Sequence, residues 1–159
     1  MNSVDFQERF MHRAIELSFH ALEQKHGNPF GSVVVKDGEI VGEGWNQVRH
    51  THDPSAHAEM LAIRDAARRL GTPILDGCVV YASGQPCPMC LSLVYLAGIR
   101  RVYYCIPGEV MAQLNPMLSV EHIYAALAMP QNERPIAEVQ SMTALIAPTL
   151  SRYRDLLLE

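Results

Sequence analysis

Residues 5 to 24 carry Phe6, Phe10, Ala14, Leu17 and Ala21, apolar positions three or four apart with polar residues between them. That spacing predicts an amphipathic helix with one face to bury, ending near Gly27. Asn28-Pro29-Phe30-Gly31 reads as a turn, and the pattern then changes period. Val33-Val34-Val35 and Ile40-Val41 flank Lys36-Asp37-Gly38-Glu39. An Asp-Gly pair between β-branched runs predicts a hairpin, whose second strand reaches about Asn46. A polar stretch from Arg49 to Ser55 leads into Met60, Ile63, Ala67 and Leu70, again at helical spacing and stopped by Gly71.

Cys78 to Ala82 reads as a buried strand, Gln85-Pro86 breaks it, and Cys87 to Ala97 reads as a third helix with Pro88 suited to its first turn. Arg101 to Cys105 is a fourth strand and Ser119 to Ala128 a short helix. Ile136 to Gln140 is expected as a fifth strand, followed by a last helix over about 143–158. Pro107, Pro116, Pro130 and Pro135 interrupt any long element between 106 and 135. Helices alternating with strands predict an α/β protein whose mixed sheet is covered on both faces. No internal repeat or low-complexity tract is present.

With 159 residues, 48% hydrophobic and 19% charged, the chain is expected to form one domain over 1–159 with a substantial core. Its formal charge of -4 gives no electrostatic basis for nucleic acid as the main partner, so a small-molecule ligand fits better. The stretch from Met1 to Glu8 lacks the basic and apolar segments of a secretion signal, and no apolar run approaches a membrane span. Cys87 and Cys90 at metal-ligand spacing point to a reducing compartment, and the expected location is cytoplasmic. Cys78 and Cys105 are expected as small buried strand residues.

The chemistry concentrates in two short segments, His57-Ala58-Glu59 and Pro86-Cys87-Pro88-Met89-Cys90. One imidazole and two thiolates suit zinc, and three protein ligands leave the fourth position that a catalytic zinc keeps for water. A carboxylate at Glu59 can move protons beside such a metal. Cys87 and Cys90 lie on one face of a helical turn, where unpaired backbone N–H groups favour thiolates. His57 and Glu59 would diverge by about 200° in mid-helix, so the metal has to sit beyond a helix start. Two helix starts must then converge. The combination H-x-E…P-C-x-x-C is the signature of zinc-dependent nucleobase deaminases. His50 and His52 are rival ligands in a polar loop without an adjacent acid, and His12, His20 and His26 require no role. Taken alone, Asn46 is a turn residue.

With Asn28-Pro29-Phe30-Gly31, Gly44-Trp45-Asn46, and Asp53-Pro54-Ser55-Ala56-His57-Ala58-Glu59 added to the cysteine segment, the chain resembles the cytidine deaminase superfamily. Within it, the likeness is to bacterial guanine deaminases and tRNA adenosine deaminases. The resemblance implies a three-layer α-β-α fold around a five-stranded mixed sheet, one zinc ion per subunit, and a homodimer. It also implies that Asn46 and the Ala58 N–H bind substrate and that Phe30 lines the pocket. The Pro-Cys-Pro-Met-Cys form and Ile123-Tyr124, followed by Pro130, Glu133 and Arg134, resemble guanine deaminases more closely. Ser119 and Val120 stand where acidic residues are expected, Leu96 where an aromatic is, and Gln85 where glutamate is usual.

The leading expectation is hydrolytic deamination of a free nucleobase or a related amino-substituted heterocycle, with release of ammonia. A tRNA adenosine deaminase acting at the wobble position is the alternative enzyme, but the tail from Ser151 to Glu159 balances two arginines against two acids and makes a poor phosphate clamp. A zinc-stabilised interaction module, closed by His50 or His52, is the non-enzymatic alternative.

Overall fold

The computed structural model describes residues 5–157, so Met1 to Val4 of the amino-terminal stretch and Leu158 at the end of the last predicted helix lie outside it. Two compact units form, one running to Glu121 and the other starting at His122. The first holds helix α1 (Glu8–Glu23), strands β1 (Gly31–Lys36) and β2 (Glu39–Trp45), the short helix α2 (Val48–Thr51) and helix α3 (Ala58–Leu70). Strand β3 (Val79–Gly84), helix α4 (Pro88–Leu96), strand β4 (Val102–Ile106) and helix α5 (Gly108–Leu114) complete it.

The hairpin forms as the Asp-Gly pair predicts: Asp37 and Gly38 take φ of 51° and 80°, the positive values that a two-residue turn between twisted strands requires. The sheet order is β2-β1-β3-β4, with β1 antiparallel to both neighbours and β3 parallel to β4. Alternation along the strands then separates two cores. Val33, Val35, Val79 and Tyr81 pack with Phe10, Met11, Ala14 and Leu17 of α1. Val34, Val80 and Ala82 pack with Ala62, Ile63 and Ala66 of α3 and with Val94 of α4. A sheet clothed by α1 on one face and by α3 and α4 on the other is the expected three-layer α/β arrangement.

Helix α3 lies unusually close to β2 because the strand offers glycine where the helix crosses it. A Cβ placed on Gly44 would come within 2.3 Å of the Ala58 carbonyl oxygen and 2.5 Å of the Ala62 nitrogen, both backbone atoms that cannot swing away. Gly42 meets Ala62 and Ala66 in the same way. Gly44→Ala should therefore push the start of α3 off the sheet and lower the unfolding free energy by about 1–3 kcal/mol, the usual cost of overpacking. A denaturation midpoint equal to that of the unaltered chain would contradict this packing.

The second unit follows helix α6 (Glu121–Ala128) with short 3-10 turns at Gln131–Glu133 and Thr143–Ile146 and ends in helix α7 (Ala147–Leu156). Arg134 pairs with Glu138 at 2.7 Å. Residues 136–140, expected as a fifth strand, adopt no strand conformation, and the sheet has four strands among the described residues. Ile136, Ala137 and Val139 do not alternate, so the segment has no single apolar face to lay on a sheet, and both Ile136 and Val139 are exposed. Cys105 is also corrected: it is exposed because β4 lies at the sheet edge, whereas Cys78 is buried as expected. Among the described residues no helix is long and apolar enough to cross a membrane.

Candidate metal centre and active site

The two chemical segments meet at helix starts. His57 is the residue immediately before α3, with extended backbone (φ -74°, ψ 154°), and Cys87 stands in the same position before α4 (φ -70°, ψ 170°). Pro88, which lacks an N–H, fills the first helical position of α4, where none is needed. Cys90 follows one turn later and is fully buried. The antiparallel pairing of β1 with β3 and the packing of both helices on one face of the sheet bring these ends together, although thirty residues separate them in sequence.

His57 Nδ1 lies 3.5 Å from Cys87 Sγ and 3.6 Å from Cys90 Sγ. A zinc ion with nitrogen at about 2.05 Å and sulfur at about 2.3 Å in a tetrahedral array sets those donors about 3.6 Å apart, so the three atoms fit zinc. Among the described residues they form the one group of three or more potential ligands within 4.8 Å of one another. The expected rivals do not join them: His50 is exposed and its ring stacks on His26 at 4.3 Å, and His52 is exposed as well.

The protonation pattern suits a cation. Cys87 is held down to about 4, first by its hydrogen bond with Cys90 and then, against the cost of burial, by His57. The hydrogen bond with Cys87, together with burial, pushes the Cys90 thiol up. A bound divalent ion would take both sulfurs as thiolates. Glu59, 7% exposed in the first turn of α3, is raised to about 7, chiefly by burial and further by Cys87. A carboxyl group at that value can both take and give a proton near neutral pH.

The flanking loop is built around Asn46. Its Oδ1 accepts the N–H groups of Asn28 and Val48 at 3.3 Å each, and its own backbone N–H donates to the Phe30 carbonyl at 2.9 Å. With Oδ1 so engaged, the amide N–H groups are what this residue, 2% exposed, has to offer a ligand. Ala58 opens α3, so its N–H belongs to the first turn, whose donors lack partners within the helix. Asp53 accepts from the backbone N–H and the hydroxyl of Ser55 at 2.8 and 2.7 Å, which sets the turn into His57 and lowers the Asp53 pKa.

Sequence reasoning missed His26. Its Nδ1 accepts the indole N–H of Trp45 at 3.0 Å, and its carbonyl accepts from Arg49 and His50. The only available signal was its position in the turn after the first helix, which does not reveal a partner. Burial, helped by His50 and His20, lowers the His26 pKa. The neutral ring is the form that holds Trp45, so its contribution is present above the unfolded histidine value of about 6.5 and is lost as pH falls through the lower folded one. Trp45 is the single tryptophan of the chain. Its fluorescence should change with a midpoint below about 6.5, the ordinary histidine value, and His26→Leu should abolish that transition. A midpoint above the ordinary value would refute the arrangement.

Comparison with known proteins agrees with this geometry. A guanine deaminase of Bacillus subtilis is 39% identical over 142 residues, covering 89% of this chain and 90% of that protein. The X-ray structure of guanine deaminase from that organism superposes with a TM-score of 0.85 at 37% identity, covering 94% of this chain and 95% of the other. A tRNA-specific adenosine deaminase of Aquifex aeolicus is 42% identical over 98 residues, but these span 62% of this chain and 64% of that protein. A solved structure in complex with 2,6-diaminopurine matches at 26% identity with a TM-score of 0.60, covering 81% of this chain and 65% of the other. Residues 4–106 match the family described as the cytidine and deoxycytidylate deaminase zinc-binding region, and the chain belongs to that family.

Proposed function

We propose that this protein is a zinc-dependent aminohydrolase that deaminates guanine or a closely related aminopurine, with water and base giving the oxo-base and ammonia. The observation that carries the reading is the zinc-fitting set of His57 Nδ1 and two cysteine sulfurs beside a buried Glu59 held near neutrality. His57, Cys87 and Cys90 would hold the metal. Zinc, when bound, supplies the Lewis acidity that makes water a nucleophile near neutral pH.

The remaining steps belong to the chain. Glu59 takes one proton of the attacking water and passes it to the ring nitrogen beside the amino-bearing carbon, then takes the second proton from the oxygen now bonded to that carbon and delivers it to the departing amine. A C–O bond forms and the exocyclic C–N bond breaks. The Asn46 amide and the Ala58 N–H orient the base, and Phe30 packs against it. A purine is supported by the match along nearly the whole length of the Bacillus subtilis guanine deaminase and by the neighbour that binds 2,6-diaminopurine. Ser119 and Val120 leave Glu121 as the acid nearest the Ile123-Tyr124 pair, so other aminopurines belong in the assay beside guanine. Homodimer formation and a cytoplasmic location are part of the same proposal. Exposed Tyr95 and Leu96 on α4 support the first, and ligand thiols that must stay reduced support the second.

The decisive test is ammonia release by purified zinc-loaded protein from guanine, other aminopurines, cytosine, aminotriazines and tRNA. Turnover is expected with free purines. Inosine formation in tRNA without turnover of any free base would replace this reading with the tRNA one.

A further inference from the structure

Met111 and Phe30 face the space beside Gly84, and the next residue, Gln85, reaches across to Gly108, an arrangement that the roles above do not explain. A Cβ on Gly84 would lie 2.9 Å from Met111 Sδ and 3.0 Å from Phe30 Cε1. The thioether and the ring therefore both border the space that glycine leaves at the end of β3. Three residues further on is Cys87, and the Phe30 carbonyl is bonded to Asn46, so this space adjoins the loops carrying a metal ligand and the proposed substrate contact. Phe30 and Met111 are both only half-buried. Both therefore stand at an open wall and not in the core.

Nothing in either core holds Met111 there, because α5 has no buried residue. The holding is done by Gln85. Its side-chain Oε1 accepts the Gly108 N–H at 2.9 Å, and its backbone N–H donates to the Ile106 carbonyl at 2.9 Å. Both ends of the β4–α5 connection are therefore tied to the loop between β3 and α4, and the first turn of α5 carries Met111 from that anchor through its N–H bond to Pro107. A long, unbranched thioether beside an aromatic ring is polarizable and adaptable, which suits contact with a planar heterocycle.

We propose that Met111 is a specificity-determining residue that walls the base pocket together with Phe30, and that Gln85 is the positioning residue that holds it there; this rests on the purine reading above. A glutamine suffices at position 85 because the bond it makes needs only an acceptor oxygen.

The test uses zinc-loaded full-length protein, with zinc content, the Kd of 8-azaguanine, and kcat and KM for guanine measured in parallel. Met111→Ala should raise Kd and KM about tenfold, as loss of an apolar pocket contact does, with kcat within about threefold and zinc unchanged. Gln85→Ala should move the same constants in the same direction, and Gln85→Glu should recover most of the loss. Gly84→Ala should weaken binding as well, and by less when Met111 is already alanine, because the flexible half of the clash is gone. An unaltered chain that neither binds 8-azaguanine nor deaminates guanine or any other aminopurine overturns the functional reading and this assignment together. An unaltered chain that does both, while Met111→Ala leaves Kd and KM within about twofold, overturns the Met111 assignment alone.

Discussion

Glu59→Gln abolishes turnover while leaving zinc in place: kcat for the best purine substrate falls by about 10²–10⁴-fold, the range expected when a positioned proton carrier is lost. The amide keeps the size and hydrogen-bonding reach of the carboxyl group, and the three ligand atoms come from other residues, so metal content should not change. An amide can donate a hydrogen bond but cannot relay a proton, and each transfer in the reaction needs one relayed. Stability should not fall either, because the buried amide carries no charge to desolvate. Near-normal ammonia release from this variant would remove Glu59 from the mechanism. Loss of zinc along with activity would instead make it a support for the ligands.

Cys90→Ala is expected to lose the metal and a large part of the stability that depends on it. Cys90 is the buried member of the ligand set, and without it one imidazole and one thiolate remain. A site occupied at about a thousand times its Kd contributes about 4 kcal/mol to the folded state. At about 2–4 °C per kcal/mol for a protein of this size, the melting temperature should drop by roughly 10 °C. Chelation supplies the control. A strong zinc chelator should lower the melting temperature of the unaltered chain by a similar amount and leave Cys90→Ala almost unmoved. Equal sensitivity of both proteins to the chelator would mean that stability does not pass through this site.

The ligand set was legible because each half of it is local. The spacing of Cys87 and Cys90, and the position of His57 and Glu59 at the start of an apolar helical pattern, follow from one or two turns of helix. The hairpin was legible for the same reason, since Asp37-Gly38 encodes its own turn. Asn46 was only a corner residue by itself, and the bonds that orient its amide come from residue 28 as well as residue 48. Gly42, Gly44 and Gly84 were visible as glycines, but what each makes room for lies on another element. Met111 stands in a proline-interrupted stretch with no clear period, and the β-branched residues of 136–140 suggest a strand that their apolar positions, which do not alternate, cannot place on a sheet.

The amino-acid sequence alone determined which side chains could bind a metal and relay a proton, that they would stand at helix starts, and that the chain would fold as an α/β protein. Those are properties of spacings within a few residues, where backbone geometry leaves little choice. Only the tertiary structure decided that sheet order and close helix packing on Gly42 and Gly44 bring His57 to the two sulfurs, that His26 holds Trp45, and that Met111 and Phe30 both come up to Gly84. Such contacts join residues far apart in the chain, and their geometry depends on how several elements pack at once, which no local pattern encodes.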